Sequence, residues 1–433
     1  MKPRPIFNVL IIVGLLGGAC GVALAAAETV SSASVLSFGA DPTGVRDSSG
    51  AFQAALDRGG AVEVPTGTYL IRQTLSLTRS GTSVAGRPGA VLTFPAGFLD
   101  SGLVAKAEPF GLTNIAVRNL TLLCDKANYT PGKDGKGAYG IHLFGVDGAV
   151  VEACTVEGFT FTEIGVAAAR RVRILRCVTV GGRHGISVNG HIGNPKANGA
   201  PFGCSNVAIE GGRVTQTWDT FIAIGLCARD VQISGCFCEG SAAHGIDVFN
   251  SENVTVAGNR IANWLDPRVL PGYCEQAVGV FVHCDWGVSA TIPTRNIVVK
   301  DNVLVRDAFP DSVRPIGVNV TGTVTGAEIS DNVVRGGLVG CAVSDVKDGD
   351  KRYGPQDIAF SNNVVAGQRL TLTVDGAAAM GVLFANNVFD PVAGNGPAAH
   401  VSDAVVGVRF ANNTGPRDRF PPQMLGDRHS VAP

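Results

Sequence analysis

The chain has little charge and few aromatic residues, and both shortages limit what it can bind. Charged residues make up 16% and aromatic residues 6% of its 433 residues, and the formal net charge is −1. A chain with so small a net charge lacks long-range attraction to nucleic acid or to acidic membrane surfaces. We therefore expect no nucleic-acid partner and a ligand that is recognised through local contacts.

Glycine is abundant, in contrast, and the apolar content is high. The chain has 57 glycines and is 45% hydrophobic. This composition supplies a large core and too many turns for an ordinary helical protein. One elongated domain accounts for the whole length; the oligomeric state is not predicted.

The N-terminus carries an apolar run behind two basic residues. Lys2 and Arg4 precede a largely apolar stretch from Ile6 to Ala27 that ends in small residues. This pattern is typical of a secretory signal peptide over residues 1–27, with an uncleaved membrane anchor as the alternative. We expect a secreted or periplasmic protein, with no membrane span once the signal is removed.

Cysteines are frequent after the signal, and an oxidising compartment would permit disulfides. Cys154 with Cys177, and Cys274 with Cys284, are the pairs that the spacing allows. The alternative is that most of these cysteines are small buried hydrophobic residues. We favour burial for the first pair and leave the second open.

A phrase of one strand's length recurs along most of the chain. Between Val146 and Gly415 it reads DGAVVEAC, RRVRILRC, SNVAIEGG, RDVQISGC, ENVTVAGN, RNIVVKDN, TGAEISDN, QDIAFSNN, MGVLFANN and VGVRFANN. Alternating apolar residues, such as Val254 and Val256, have the period of a β-strand. A unit repeated at this spacing predicts a solenoid whose coils bury their apolar faces by stacking.

The last position of the phrase predicts how the coils turn. Asparagine recurs there, at Asn259, Asn302, Asn332, Asn363, Asn387 and Asn413. Asparagines stacked one strand spacing apart, about 4.8 Å, can hydrogen-bond as a ladder along the solenoid axis. Earlier coils hold Cys154, Cys177, Gly212 and Cys236 in the same column, so the turn is expected to keep its geometry with a different filling.

A different pattern precedes the coils. Asp47 and Ser48 begin a short helical pattern through Phe52, Ala55 and Leu56, and a Pro-Thr-Gly turn separates two strands after it. An open solenoid end needs a cover, so we interpret residues 35–75 as a cap. Residues 416–433 are Pro-rich and are expected to form a loose tail or an end cover.

The cap segment resembles the N-terminal stretch of the pectate lyase superfamily, the pectin-lyase-like proteins. The resemblance rests on FGADPTG from Phe38, on the helix and on VPTGTY from Val64, and the coil phrases extend it over roughly residues 35–415. It implies an all-β fold, a right-handed single-stranded parallel β-helix with an N-terminal helical cap. It also implies an extracellular glycan substrate in a groove along the strands. No cofactor is required by the sequence, and Ca²⁺ is compatible with it.

Two reaction patterns found in this superfamily are missing. Polygalacturonases have an Asp-Asp pair and a Gly-His-Gly; this chain has no Asp-Asp pair, and Arg183-His184-Gly185 is its nearest match to the second. Pectate lyases have an Arg-x-Pro-x-x-Arg stretch, which is also missing. The resemblance therefore transfers no catalytic residue.

A second strand in each coil predicts where the chemistry lies. Aligned on YGIHLF, IGVAAA, HGISVN, TFIAIG, HGIDVF, VGVFVH and IGVNVT, it places one column of side chains outward. That column would hold His142, Ala167, Ser187, Ala223, Asp247, Phe281 and Asn319. The candidate catalytic residues on or beside this face are Arg183, His184, Asp219, His244 and Asp247. Each also has a structural alternative, as a turn or strand-edge residue.

Long insertions fall in the same coils and are expected to wall the site. They carry aromatic residues, which hold sugar rings well, and a loop lysine. The candidate substrate-binding residues are Trp218, Trp264, Trp286, Tyr273, His283 and Lys196. A zinc site from the histidines is an alternative with poor ligand spacing.

Two reactions fit such a groove. In β-elimination on an acidic polysaccharide, His184 or His244 would remove the C5 proton and Arg183 would neutralise the carboxylate; a C5-epimerase shares this first half. Hydrolysis would use Asp219 and Asp247. We favour a polysaccharide lyase, with hydrolase, epimerase and non-catalytic polysaccharide-binding or export protein as alternatives.

Overall fold

The computed structural model describes residues 32–425, except 109, 126–137, 191–202, 285–291, 308–312, 349, 368–369, 377, 391–397, 403–404 and 406. The predicted signal segment, residues 1–27, lies outside this range, as do residues 426–433. Over the described residues the chain winds through three long parallel sheets, one strand of each per coil. The predicted parallel β-helix is confirmed.

The first sheet contains the recurring phrase. Val254, for example, pairs with Val231 of the coil before and with Ile297 of the coil after. Among the described residues its strands are Ala33–Ser34, Ala61–Val64, Ser83–Gly86, Leu112–Arg118, Val146–Glu152, Arg170–Leu175, Ser205–Glu210, Arg229–Ser234, Glu252–Ala257, Thr294–Lys300, Val324–Ser330, Gln356–Ser361, Met380–Ala385 and Arg409–Ala411.

The second sheet follows the phrase after a tight turn and was not predicted from the sequence, because most of its strands are only three residues long. They are Thr43–Asp47, Gly67–Leu70, Ala90–Phe94, Thr121–Cys124, Thr155–Glu157, Val178–Val180, Arg213–Thr215, Phe237–Glu239, Arg260–Ala262, Val303–Val305, Val333–Arg335, Val364–Ala366 and Val388–Phe389.

The third sheet contains the predicted second strand of each coil. Its strands are Leu75–Leu77, Leu103–Lys106, Tyr139–Phe144, Thr162–Ala167, His184–Asn189, Thr220–Gly225, Ile246–Phe249, Gln276–His283, Arg314–Thr321, Val339–Ser344, Leu370–Asp375 and Ala399–Val401. A separate antiparallel pair, Val346–Asp348 with Lys351–Tyr353, follows one of these strands. Inward side chains such as Ile141, Ile222 and Val280 are fully buried between the sheets.

The N-terminal cap has the predicted elements. A 3₁₀ helix, Val35–Phe38, is followed by the α-helix Ser49–Arg58, whose Phe52, Ala55 and Leu56 are buried. This helix is the only α-helix among the described residues, and no helix of that part is long and apolar enough to cross a membrane.

The other end of the solenoid is also covered. A 3₁₀ helix, Pro422–Met424, places Met424 in the core, and Phe420 stacks on Phe389 with ring centroids 5.3 Å apart. The side-chain amide of Asn413 donates to the Met424 carbonyl at 3.2 Å. Residues 416–425 therefore form an end cover.

The asparagine ladder is present in full. Each asparagine donates through Nδ2 to Oδ1 of the asparagine in the next coil, at 3.0 Å along the whole series from Asn259 to Asn413. Each Oδ1 also accepts the backbone N–H of the preceding asparagine, as Asn332 does from Asn302 at 3.0 Å. All six side chains are buried, so the ladder satisfies polar groups that water cannot reach.

The cysteines form no disulfide among the described residues, which include all ten that follow the signal. Cys154 and Cys177 are buried, and each thiol contacts backbone carbonyl groups. Cys274 contacts the Gln276 carbonyl, whereas the Cys284 sulfur accepts the N–H of Thr323. The structure therefore shows Cys154 and Cys177 as small buried residues.

Replacing one ladder residue tests how much the ladder stabilises the fold. Asn332→Ala removes the acceptor of two Asn302 donors and the donor to the Val299 carbonyl. We expect a loss of about 2–4 kcal/mol in the free energy of unfolding, because buried polar groups lose their partners. Urea denaturation measures it, with the exposed Lys300→Ala as control. An equal, small effect of both changes would contradict a stabilising ladder.

Candidate functional site

The candidate residues meet on the outer face of the third sheet. Backbone pairing places seven residues in one outward row: His142, Gly165, Ser187, Ala223, Asp247, Phe281 and Asn319. The prediction that Ala167 belongs to this row is wrong, since Ala167 pairs with Phe144 and Asn189. The strand that contains Ala167 begins at Thr162, two residues before the start used in the sequence alignment. A shift of two residues leaves the same side chains facing outward, so the alternation of apolar residues does not reveal the error.

Arg183, His184 and Asp219 form one contact group at the leading edge of two strands. Arg183 donates through Nε to Asp219 Oδ2 at 2.8 Å. His184 Nε2 lies 3.8 Å from the same oxygen, and its Nδ1 lies 3.3 Å from the Thr162 hydroxyl. A cation and an imidazole therefore converge on one carboxylate oxygen.

His184 is neutral around pH 7 in this position. Burial lowers its pKa to about 4, and Arg183 acts in the same direction, against the opposing charges of Asp219 and Asp247. The ring remains partly accessible, with 13% of its side-chain surface exposed. His184 thus offers an uncharged imidazole at the surface of the groove.

Asp247 and His283 form the second contact group. The two side chains are joined by a hydrogen bond of 2.9 Å between Asp247 Oδ1 and His283 Nε2. The other ring nitrogen, Nδ1, lies 3.1 Å from the Cys284 carbonyl oxygen. A carbonyl and a carboxylate both accept hydrogen bonds, so the arrangement favours a doubly protonated His283 beside an ionised Asp247.

The charge state of Asp247 agrees with that arrangement. Burial opposes ionisation and raises its pKa, but the charge and hydrogen bond of His283 outweigh burial. The net effect holds the pKa of Asp247 below its usual value of 3.8. Asp247 is therefore a carboxylate at neutral pH.

His244 is held as a hydrogen-bond donor. Its Nδ1 accepts the backbone N–H of Val278 at 3.1 Å, so in the neutral ring the proton is on Nε2. Burial lowers its pKa, which favours the neutral form. A ring arranged in this way donates from Nε2, a geometry that does not favour His244 as the base; its use as the base stays a prediction.

Tyr273 and Trp218 lie over the Arg183–Asp219 pair. Their rings meet edge to face with centroids 5.6 Å apart, and the Arg183 guanidinium lies 5.8 Å from the Trp218 ring centroid. Burial, followed by the charge of Asp219 and a hydrogen bond to it, raises the pKa of Tyr273 to about 12. The phenol is therefore protonated and hydrogen-bonded to the site.

Two phenylalanines belong to the site but were not predicted as functional. Phe281 stacks on His283 with centroids 4.0 Å apart and on His244 at 5.1 Å. Phe249 also stacks on His283, at 5.5 Å. The sequence signal that could have identified both phenylalanines was their position in the outward-facing columns of the third sheet. These rings hold the two imidazoles in fixed orientations.

Trp264 is not part of the site. It is completely buried and is among the largest core side chains, so it offers no ring face to a ligand. The prediction of a substrate-binding role is wrong for this residue, because its loop enters the solenoid core before it crosses to the third sheet. Lys196 and Trp286 lie outside the described residues.

Within the described ranges, no group of three or more histidine, cysteine, aspartate or glutamate side chains is arranged to hold a metal ion. The nitrogens of the three site histidines face Asp219, the Val278 N–H and Asp247.

The lowered histidine pKa values make stability depend on pH. The pKa of His142 and of His184 is about 4 in the folded chain, against 6.5 ordinarily. The unfolded chain binds protons at these histidines more tightly than the folded chain does. The stability that the neutral histidines contribute is therefore complete above pH 6.5 and is lost as the pH falls toward 4. We expect roughly 2 kcal/mol less stability per histidine at pH 4.5.

Chemical unfolding at pH 7 and at pH 4.5, at equal ionic strength, measures this loss. The variant His142→Asn removes one of the histidines with a lowered pKa and should reduce the pH dependence. Equal stability of the wild type at both pH values would contradict neutral, buried histidines.

The fold is shared with solved structures of distant sequence. The A-module of a mannuronan C-5 epimerase from Azotobacter vinelandii superposes with a TM-score of 0.64 at 14% identity, over 87% of this chain and 98% of that one. A family 28 exopolygalacturonase from Yersinia enterocolitica gives 0.57 at 16% identity, over 87% and 77%. A surface adhesin of Streptococcus pneumoniae gives 0.56 at 14% identity, over 88% and 92%.

At the level of sequence, no curated protein is a significant match. The family model described as rhamnogalacturonase A/epimerase, pectate lyase-like, matches residues 32–266. That match spans more than half of the 433 residues and includes the cap and the residues Arg183, His184 and Asp219. The chain therefore belongs to the rhamnogalacturonase A/epimerase family of pectate-lyase-like parallel β-helix proteins.

Proposed function

We propose that the protein abstracts the C5 proton of a uronic acid unit in an acidic polysaccharide, and that elimination follows, which makes it a polysaccharide lyase. The observation that carries the proposal is the convergence of a neutral imidazole, His184, and a cation, Arg183, on the same oxygen of Asp219. In a uronate, the carboxylate is bonded directly to C5. A base that removes the C5 proton and a cation that binds the carboxylate must therefore be neighbours, as His184 and Arg183 are.

Each side chain has a role in this reaction. His184 takes the proton, and the guanidinium of Arg183 stabilises the charge that develops on the uronate carboxylate. The electron pair of the C5–H bond forms the C4=C5 double bond as the C4–O bond breaks. The departing oxygen takes up a proton, for which Tyr273 and the Nε2–H of His244 are the donors in the site.

Asp247 is proposed to hold the sugar ring. Its Oδ1 is bound to His283, and its Oδ2 is the proposed acceptor for a sugar hydroxyl. The exposed part of its side chain is 15%, which leaves room for contact but little water. An ionised acceptor of this kind binds hydroxyl groups strongly.

Hydrolysis is the second candidate, because the family description names a rhamnogalacturonase and two carboxylates lie near His184. An inverting or retaining hydrolase needs one carboxyl group protonated as the acid. The pKa of Asp247 is lowered, and Asp219 is paired with Arg183. Neither carboxylate is set up as an acid, so we place hydrolysis second.

The test is incubation of the purified protein with polygalacturonate, rhamnogalacturonan and mannuronan in D₂O. Ultraviolet absorbance of the new double bond would support elimination. Deuterium at C5 without chain cleavage would indicate an epimerase. New reducing ends with neither ultraviolet absorbance nor deuterium at C5 would indicate a hydrolase. Binding without any reaction would overturn the enzymatic proposal in favour of a binding protein.

Removal of the base should abolish the reaction. For His184→Gln, which keeps a polar side chain but no basic nitrogen, we expect kcat to fall by about 100-fold or more. The matched control is His400→Gln, an exposed histidine on the outer face of the same sheet. Both variants are compared by absorbance assay and by circular dichroism. Wild-type kcat in a folded His184→Gln variant would remove His184 from the mechanism.

Neutralising Asp247 should weaken substrate binding and slow the reaction. Asp247→Asn keeps the shape but leaves His283 without its carboxylate partner. We expect kcat/KM to fall by roughly 10- to 100-fold, on the scale of a charged hydrogen bond. Asp375→Asn, at an exposed position of the third sheet, is the control. Equal kinetics for the two variants would contradict a role for Asp247.

A further inference from the structure

Phe161 lies beside both of the side chains to which the proposed reaction assigns the base and the cation, His184 and Arg183. The strands of the third sheet pair in register from coil to coil in this region. The positions directly before three successive strands are those of Phe161, Arg183 and Asp219, which therefore follow one another about 4.8 Å apart. Arg183 thus lies between an aromatic residue of the coil before and a carboxylate of the coil after.

The ring of Phe161 contacts the base and the cation together. It meets His184 edge to face, with ring centroids 5.6 Å apart and planes at 74°. The guanidinium carbon of Arg183 lies 5.7 Å from the Phe161 centroid. A cation within about 6 Å of an aromatic ring is attracted to the electron-rich face of that ring. One half-buried side chain therefore touches both groups that the proposed reaction uses.

Trp218 and Asp219 complete the surroundings of the guanidinium. The Trp218 ring centroid lies 5.8 Å from the guanidinium carbon of Arg183. Arg183 Nε donates to Asp219 Oδ2 at 2.8 Å. An arginine side chain has many rotamers, and contacts with two rings and a carboxylate restrict it to few of them. The cation is therefore held in one place before a substrate arrives.

The backbone of Phe161 joins the same coils. Its carbonyl accepts the N–H of His184 at 2.9 Å, and its own N–H donates to the Ala138 carbonyl at 3.0 Å. The hydroxyl of the next residue, Thr162, lies 3.3 Å from His184 Nδ1. The coil before His184 therefore fixes both its backbone and one nitrogen of its ring.

A buried carboxyl group holds the turn that leads to Phe161. Glu163 Oε1 accepts the backbone N–H groups of Gly158 and Phe159, at 2.9 and 3.2 Å. The Glu163 side chain is completely buried. Buried hydrogen bonds of this kind make a turn rigid. The Phe161 ring is therefore attached to a turn that is held without a ligand.

We propose that Phe161 is a positioning residue, whose ring holds the Arg183 guanidinium and the His184 imidazole in their reactive orientations and covers the imidazole from water. Phe161 touches no reacting atom and acts through those two side chains. Its effect on catalysis rests on the proposed function. Its effect on His184 does not, and that effect is measured without a substrate.

Loss of the Phe161 ring should raise the pKa of His184. Burial lowers this pKa to about 4, and Arg183 acts in the same direction, against the charges of Asp219 and Asp247. In Phe161→Leu, water reaches the imidazole and Arg183 is less restrained, so both lowering effects weaken. We expect a rise of about one pH unit or more toward the ordinary value. Nuclear magnetic resonance titration of histidine-labelled protein measures this pKa, with His184→Gln to assign the signal.

Two further variants separate positioning from packing. Phe161→Tyr keeps the ring and should leave the pKa of His184 where it is in the wild type. Phe237→Leu is the matched control, because Phe237 is a half-buried residue of the second sheet whose centroid lies 4.7 Å from the Arg213 guanidinium carbon. It should not change the pKa of His184. Circular dichroism checks folding, and Phe161→Met takes the place of a leucine variant that does not fold.

The same variants make a kinetic prediction for the proposed elimination. Phe161→Leu should lower kcat by about tenfold and change KM less, because orientation of the reacting groups is lost. The acid limb of the kcat/KM profile should move to higher pH together with the pKa of His184. Phe161→Tyr and Phe237→Leu should keep the kinetics of the wild type.

Each outcome separates this proposal from the proposed function. An unchanged His184 pKa in a folded Phe161→Leu variant would overturn the positioning role even if elimination is observed. An equal rise in Phe161→Tyr or in Phe237→Leu would also overturn it. A rise confined to Phe161→Leu, in a protein that acts on none of the polysaccharides, would support the positioning of His184 and count only against the lyase.

Discussion

The molecule depends on the parallel pairing of each strand with the equivalent strand of the next coil. This pairing satisfies the backbone polar groups of all three sheets and sets one spacing, about 4.8 Å, for every side chain that recurs from coil to coil. The asparagine ladder extends the same hydrogen bonding into a buried turn, where Nδ2 and Oδ1 of one coil meet those of the next at 3.0 Å. A change in that spacing would break both networks together.

The outer face of the third sheet acquires its chemistry from this rigid spacing. Side chains from adjacent coils are held within hydrogen-bond reach without needing to move, as in the Asp247–His283 contact at 2.9 Å and the Arg183–Asp219 contact at 2.8 Å. Aromatic rings pack against the two histidines, and burial lowers the pKa of His184 and of His244, which favours their neutral forms. Preorganised groups of fixed charge are what proton transfer in a groove requires.

The fold alone leaves the reaction open. Solved structures that superpose on this chain include an epimerase, an exopolygalacturonase and an adhesin, each at 16% identity or less. At such low sequence identity, a shared architecture shows only that the coils stack in the same way. Function depends on the side chains on the outer face. For this chain, the proposal of proton abstraction rests on the neutral His184 beside Arg183.

The sequence by itself determined the coils, the ladder, the cap and the outward position of Asp247, because alternation and repetition are local patterns that each strand carries in its own residues. Only the tertiary structure decided the rest. A two-residue offset, as at Thr162, keeps the same face outward and so escapes detection in the pattern. The burial of Trp264 depends on the path of a loop, and the donor role of His244 depends on a backbone N–H from the next coil, at Val278. Such contacts join residues far apart in the chain, and their geometry exists only once the coils are stacked.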